Sequence, residues 1–113
     1  RRDAFNDWAI IKFGITGSIL KVIVDTNHFK GNYPDCMSLE AVFLKPEQEL
    51  SAETEWQTVI SKRPIFAHRQ HVFIKEIETS PVHEFSHVRV NIFPDGGLSR
   101  VKIIGKPNWK SMS

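Results

Sequence analysis

The sequence predicts an all-β protein, an antiparallel β-sandwich or jelly roll, and two observations support this. Apolar residues alternate with polar residues in short segments, as they do along a strand with one buried face. No stretch of useful length shows the apolar period of an amphipathic helix. The segments, about seven in number and separated by turn residues, fit a sandwich or jelly roll better than an open α/β sheet.

Length and charge limit the classes of protein that the chain can belong to. Its 113 residues predict a single domain over 1–113, with a core from about 7 to 105 and a C-terminal tail over 106–113. Fifteen Lys and Arg against thirteen Asp and Glu give a formal charge of +2, without a run of like charge. We therefore expect no nucleic-acid partner.

Membrane and redox signals are equally sparse. The apolar runs fall far short of the ~20 residues that span a bilayer, and no signal peptide opens the chain, so no membrane partner is expected. Cys36 is the single cysteine, which predicts a reducing compartment. We expect an intracellular protein and leave open whether it is cytoplasmic or peroxisomal. The opening "RRDAFN" reads as the continuation of an upstream segment.

The first half of the chain contains three predicted strands. "DWAIIKFG" is a strand that ends at Gly14, "ITGS" is a turn, and "ILKVIVDT" is a second strand rich in β-branched residues. A long polar and aromatic loop, "NHFKGNYPD", leads to "MSLEAVFLK", which alternates again and places Leu39, Ala41 and Phe43 on one side.

The second half begins with a polar, acidic segment, 46–55, where a short helix or a flexible loop is expected. Short strands follow around "WQTVIS" and "HVFIKEI", with Pro64 and Pro81 as breakers. The last two strands, "FSHVRVNIF" and "LSRVKIIG", are joined by "PDGG". A turn centred on Asp95 and Gly96 would make them a hairpin, because glycine accepts a positive φ.

Strand parity divides the side chains of this predicted hairpin between two faces. The core-facing set is apolar: Val88, Val90, Ile92, Val101 and Ile103. The opposite set is polar: His87, Arg89, Asn91 and Arg100, with Asn91 expected across from Arg100 and Arg89 across from Lys102. The polar set is either one wall of a site or an ordinary solvated sheet face.

A second polar stretch follows the β-branched strand. "VDTNHFKGNYPD" places Asp25 at a strand end and His28, Gly31 and Asn32 in the loop after it. A carboxylate, an imidazole and an amide there suit a polar ligand, although Asp25 and Asn32 could instead cap backbone groups. No His-x-His or Glu-x-x-His pattern supports a metal, so no metal site is predicted.

The two stretches together form long, specific motifs, D-T-x-H-F-x-G-N and H-x-R-x-N-I-x-P-D-G-G-x-x-R. With the opening "DWAIIKFGITGSI", they closely resemble one repeat of the allantoicase family, over about 7–105. The resemblance implies a jelly roll similar to galactose-binding domains. Because allantoicases have two such repeats and the Arg-rich opening resembles the join between them, this chain resembles the second repeat. The resemblance also implies that this repeat associates with the other allantoicase repeat and that the protein forms a homo-oligomer.

The resemblance also implies an activity, the hydrolysis of allantoate to ureidoglycolate and urea without a cofactor. Arg89 and Arg100 could clamp the substrate carboxylate, as guanidinium groups do bidentately. A histidine would move the proton, and the motifs leave His28 and His87 open for that role. The implied catalytic residues are His28, His87, Asp25 and Asp95; the implied substrate-binding residues are Asn32, Arg89, Asn91, Arg100, Gly31 and Gly96.

A different class of function stays open beside this one. The same fold often serves as a non-catalytic module that binds a sugar or a protein, and an allantoicase-like domain can also be degenerate. Urea release from allantoate by a protein with both repeats separates these alternatives.

Overall fold

The structure, a computed structural model, describes residues 7–26, 36–66, 69–93 and 100–108. The regular structure of these residues is entirely β, which agrees with the alternation in the sequence. The strands are β1 (Asp7–Asp25), β2 (Cys36–Val42), β3 (Gln57–Pro64), β4 (Gln70–Phe73), β5 (Phe85–Phe93) and β6 (Arg100–Pro107). None of the described residues forms a helix long and apolar enough to cross a membrane.

The long strand β1 organises the fold. Its 19 residues would extend to about 60 Å, but the longest dimension of the molecule is 44 Å, so the strand must curve. Its first part pairs with β5, from Asp7 opposite Ile92 to Lys12 opposite His87. Its second part pairs with β6 along one edge and with β4 along the other. The register shifts between Lys12 and Gly17, where the two parts meet.

All strand pairs are antiparallel. The order is β3-β2-β5-β1-β4, and β6 also pairs with β1. The result is one curled sheet whose two halves share β1, which confirms the predicted all-β antiparallel sandwich.

The buried apolar residues of the described strands form a hydrophobic core between the two halves. Val22 and Val24 of β1 enter it from one half, and Leu39 of β2 and Val88 of β5 enter it from the other, all fully buried. Val90 and Ile92 are also buried, as strand parity predicts, and Val101 and Ile103 pack against this core from β6. Side chains of opposite parity on each half therefore point away from the core.

Two predicted turns differ from the structure. The "ITGS" turn is wrong, because β1 runs through it without a break. Gly17 is required there for another reason: a Cβ at this position would come within 2.8 Å of the carbonyl oxygen of Lys106 on β6. The predicted hairpin between the last two strands is also wrong, because β5 pairs with β1 and β2, and β6 pairs with β1.

Smaller differences concern element ends. The last strand extends to Pro107, two residues into the predicted tail. Segment 46–55 consists of turns and irregular backbone. Phe43, expected on one side with Leu39 and Ala41, follows the end of β2 and has 47% of its surface exposed, whereas Leu39 and Ala41 are buried.

Candidate functional site

Strand ends meet at one end of the sandwich, which we call the loop end and define by Asp25, Cys36, Pro64, Gln70 and Arg100. Asp25 ends β1 and pairs with Gln70, the first residue of β4, and with Arg100, the first residue of β6. Cys36 begins β2 and pairs with Pro64, the last residue of β3. Cys36 also pairs with the last residue of β5. The strands on both sides of segments 27–35 and 94–99, which contain parts of the two motifs, therefore have their ends at the loop end.

Asp25 and Arg100 lie side by side on adjacent strands. Register partners in an antiparallel pair have Cβ atoms about 5 Å apart and share one face of the sheet. Because Val22 and Val24 point into the core, Asp25 points away from it, half-buried, and Arg100 is exposed. An anionic and a cationic group, one from each motif, thus stand together at the loop end.

Thr26 ties the end of β1 to the connection between β3 and β4. Its side chain is 1% exposed, and its Oγ1 hydroxyl donates to the carbonyl of Phe66 at 2.6 Å. The same oxygen accepts from the backbone N–H of Arg69 at 3.2 Å, and the N–H of Thr26 donates to the carbonyl of Arg69 at 2.9 Å. These bonds fix the backbone on one side of Asp25.

His71 completes this support. Its Nε2 accepts from the N–H of Phe66 at 2.9 Å, so its Nδ1 carries the proton and lies 3.3 Å from the carbonyl of Val24. The ring stacks between Phe66 and Phe73. Burial lowers the pKa of His71 below 6.5, the carbonyl of Val24 acts in the opposite direction, and the charge of Arg69 lowers it further. His71 therefore supports the backbone as a neutral ring.

A second cluster of polar side chains lies on β5 and β2, on the outer face of the half of the sheet that does not contain β4 and β6. Arg89 donates from Nε to Oε1 of Glu40 at 2.8 Å, with Nη2 at 2.7 Å from the same oxygen. Asn91 donates to Oε1 of Glu40 at 2.9 Å and to Ser38 at 3.2 Å. The guanidinium also lies over the ring of Trp56, 4.6 Å from its centroid. The charge of Arg89 is thus largely satisfied within the fold.

His87 lies farther along β5, about 20 Å from the loop end at the rise of a strand. Its Nδ1 is 2.7 Å from Oγ of Ser86, and the half-buried ring borders a cavity of about 600 Å³ that Lys12 also lines. Burial lowers the pKa of His87, and the charge of Lys12 lowers it further. His87 therefore belongs to a different part of the molecule from Asp25 and Arg100.

The structure thus divides the residues that the sequence grouped together. It brings together Asp25 and Arg100, and it places His87, Arg89 and Asn91 on the opposite outer face, away from Arg100. The expected pairing of Asn91 with Arg100 and of Arg89 with Lys102 is wrong: Arg100 pairs with Asp25, and Lys102 with Ile23. The remaining candidates lie outside the described residues: His28, Gly31, Asn32, Asp95 and Gly96.

Several residues at these places carried no recognisable signal in the sequence. Glu40 is 49 positions from Arg89, and Thr26 is 43 positions from Arg69, so neither contact follows from local spacing. Among the residues that the structure describes, no three His, Cys, Asp or Glu side chains lie close enough to hold a metal ion together.

Comparison with known proteins matches residues 1–108 to the family model "Allantoicase repeat". The chain belongs to the allantoicase family. It is 40% identical over 109 residues to a probable allantoicase of Pseudomonas fluorescens strain Pf0-1, covering 94% of this chain and 32% of that protein. A probable allantoicase of Stutzerimonas stutzeri strain A1501 is 43% identical over 110 residues, with the same coverage.

A solved structure agrees with the fold. The crystal structure of allantoicase from Saccharomyces cerevisiae superposes with a TM-score of 0.72 at 34% identity, covering 94% of this chain and 29% of that one. The chain thus spans about a third of the length of the allantoicases that it matches. It has the jelly-roll fold of one allantoicase repeat.

Proposed function

We propose that this chain is one repeat of a hydrolase that converts allantoate and water into ureidoglycolate and urea, with its part of the site at the loop end. The observation that carries the proposal is the pairing of Asp25 with Arg100, which joins the two family motifs. We further propose that a companion repeat completes the enzyme and that the enzyme is a homo-oligomer. The related allantoicases support a companion repeat, because this chain spans only about a third of their length.

The substrate requires three kinds of group. Allantoate has a carboxylate and two ureido groups on one carbon, so its site needs a cation, hydrogen-bonding partners for the ureido groups and a group that moves a proton. Arg100 supplies the cation, and a guanidinium can bind a carboxylate through two parallel N–H bonds. Asp25 beside it accepts from ureido N–H groups.

Proton transfer is assigned to His28 in this proposal. The motif places His28 three positions after Asp25, whereas His87 is distant from Arg100 along β5. An imidazole with a pKa near neutral can take a proton from the attacking water or give one to the departing urea nitrogen. Asn32 and Asp95 then bind the ureido groups, and Gly31 and Gly96 leave room for them.

Arg89 and Asn91 have a supporting role in this proposal. Their shared acceptor, Oε1 of Glu40, holds both side chains against β2, and the guanidinium stacks on Trp56. They stabilise β5, the strand that contains the first part of the second motif. Carboxylate binding therefore depends on Arg100 and not on Arg89.

The test is urea release by a protein of the relatives' length that contains this repeat. Arg100→Ala should lower kcat/KM by about 30- to 1,000-fold, equivalent to about 2–4 kcal/mol of lost transition-state binding. Lys102→Ala is the matched control, because Lys102 is an exposed cation two positions along the same strand. It should leave turnover unchanged.

Two results would contradict the proposal. A folded wild-type protein that releases no urea would favour a binding module or a degenerate repeat. Full turnover in both Arg100→Ala and His28→Ala would remove the loop end from the chemistry.

A further inference from the structure

A cavity of about 600 Å³ lies at the end of the sandwich opposite the loop end. Its walls are the middle of β1, the segment after β2, the start of β5 and Asn108 beyond β6. The volume is within the range of sites that bind small organic molecules. His87, the first residue of the second motif, borders the cavity, and the proposed function gives this histidine no role.

Two hydrogen-bonding groups stand together on one wall of this cavity. Lys12 on β1 and His87 on β5 are register partners, so their side chains leave the same face with Cβ atoms about 5 Å apart. Burial and then the charge of Lys12 lower the pKa of His87, as expected for neighbouring groups that repel each other as cations. The Lys12 ammonium has no hydrogen-bond or ion-pair partner among the residues that the structure describes. An anion between the two groups would therefore be bound by both.

Ser86 orients the imidazole of His87. Its Oγ accepts from the backbone N–H of Leu44 at 2.8 Å and lies 2.7 Å from His87 Nδ1. The alternative acceptor for the hydroxyl proton, the carbonyl of Val42, is farther away at 3.3 Å. We therefore assign the hydroxyl proton to the bond with Nδ1, which leaves the proton of the neutral ring on Nε2. Nε2 is then a donor for an anionic ligand.

Apolar side chains form much of the remaining wall. Phe13 borders the cavity from β1, and Phe43 and Leu50 border it from the segment after β2. Phe43 and Leu50 are large apolar residues with 47% and 37% of their surfaces exposed. A ligand with an apolar body would cover them, and removing such surface from water is favourable.

Two carboxylates also border the cavity, but two lysines balance their charge. Glu84 accepts a hydrogen bond from Nδ2 of Asn108 at 2.9 Å, and Glu49 is accompanied by Lys45. The second lysine is Lys12. The anionic group of a ligand is therefore placed by the donors on β1 and β5 and not by the net charge of the cavity.

We propose that this cavity is a second ligand site, which binds the carboxylate of a small organic acid between Lys12 and His87. The apolar body of the acid lies against Phe13 and Phe43. The site is separate from the loop end, and the inference does not rest on the proposed function. It gives the first residue of the second motif a binding role away from the hydrolytic chemistry.

The experiment compares an acid with its neutral amide. The probes are hydrocinnamate, a carboxylate with a phenyl group, and hydrocinnamamide, each titrated calorimetrically into a protein of the relatives' length that contains this repeat. The acid should bind about 10- to 100-fold more tightly, because charge-assisted hydrogen bonds to Lys12 and His87 need the carboxylate. Lys12→Met keeps the apolar stem and removes the charge. It should remove most of this preference and leave the affinity for the amide and the Tm unchanged, because Lys12 is exposed.

Three further variants identify the contacts. His87→Phe keeps an aromatic ring but has no donor, so it should also weaken binding of the acid relative to the amide. Phe43→Ala should weaken binding of both probes by similar factors, since it removes a contact with the phenyl group that they share. Lys75→Met, at an exposed cation outside the cavity, is the control and should change neither affinity.

Several outcomes would overturn this inference. They are equal affinities for the acid and the amide, acid binding that neither Lys12→Met nor His87→Phe weakens, and no acid binding by the folded wild-type protein. Loss of acid binding in Arg100→Ala would place the probe at the loop end and would overturn it as well. Acid binding that depends on Lys12 in a protein that releases no urea would support this site and contradict the proposed function.

Discussion

At the scale of single residues, the contact between Glu40 and Arg89 shows how an arginine in a functional motif can serve the fold. Both side chains are about three-quarters buried, with 24% and 28% of their surfaces exposed. Glu40→Ala would leave the guanidinium without its anion and the amide of Asn91 without its acceptor. We expect a loss of about 1–3 kcal/mol in the free energy of unfolding, measured by urea denaturation.

A double-mutant cycle checks the cause. Arg89→Met keeps much of the contact with Trp56, and in its background Glu40→Ala should cost clearly less than in the wild type. Equal costs in both backgrounds would mean that Glu40 acts independently of Arg89. Glu55→Ala, at an exposed carboxylate near Trp56 in sequence, is the control and should be close to neutral.

At the scale of elements, the pairing of β6 with β1 depends on glycine at a close approach. A Cβ at Gly105 would overlap the carbonyl oxygen of Ser18, a backbone atom that cannot move away without disturbing β1. Gly105→Ala should therefore lower the free energy of unfolding by about 1–3 kcal/mol, the typical cost of overpacking. Differential scanning calorimetry should show a lower Tm.

Gly14→Ala provides the matched control for this element. It lies in β1, and a Cβ there would meet no atom within 4 Å. The substitution should leave the Tm unchanged or raise it slightly, because alanine restricts the unfolded chain more than glycine does. Equal destabilisation by both substitutions would argue against close approach as the reason for Gly105.

The same elements show what sequence patterns can and cannot predict. The burial of Val88, Val90 and Ile92 followed from a period of two, which any regular strand imposes. The partner of that strand did not follow, because "PDGG" is a local hairpin signal and the pairing with β1 joins distant residues. The resemblance implied that both motifs supply residues to one site, but it did not indicate that Asp25 and Arg100 lie together on one face, apart from His87 and Arg89.

At the scale of the whole molecule, two histidines make stability depend on pH. Burial lowers the pKa of His71 and of His87 below the ordinary value of 6.5. As pH falls through about 6.5, the unfolded chain takes up protons at these sites before the folded protein does, so the free energy of unfolding decreases. We expect a lower Tm at pH 5.5 than at pH 7.5.

Replacing His71 separates the contribution of this histidine to the pH dependence of the Tm from that of other acid-sensitive groups. His71→Gln should narrow the difference in Tm between pH 7.5 and pH 5.5, even if it lowers both values, because the titrating ring is gone. His83→Gln, at an exposed histidine outside the strands, should leave the difference unchanged. A difference that stays the same in His71→Gln would show that this ring does not contribute.

The shared strand β1 also has a consequence for how the protein folds during its synthesis. β1 leaves the ribosome first, but its partners β4, β5 and β6 follow it in the chain, the last ending at Pro107. β1 therefore stays unpaired until β4 and β5 have been translated and incompletely paired until β6 follows, and pairing between such distant segments is slow. Nascent chains that have not yet formed β6 therefore leave open the edge of β1 that β6 covers in the folded protein.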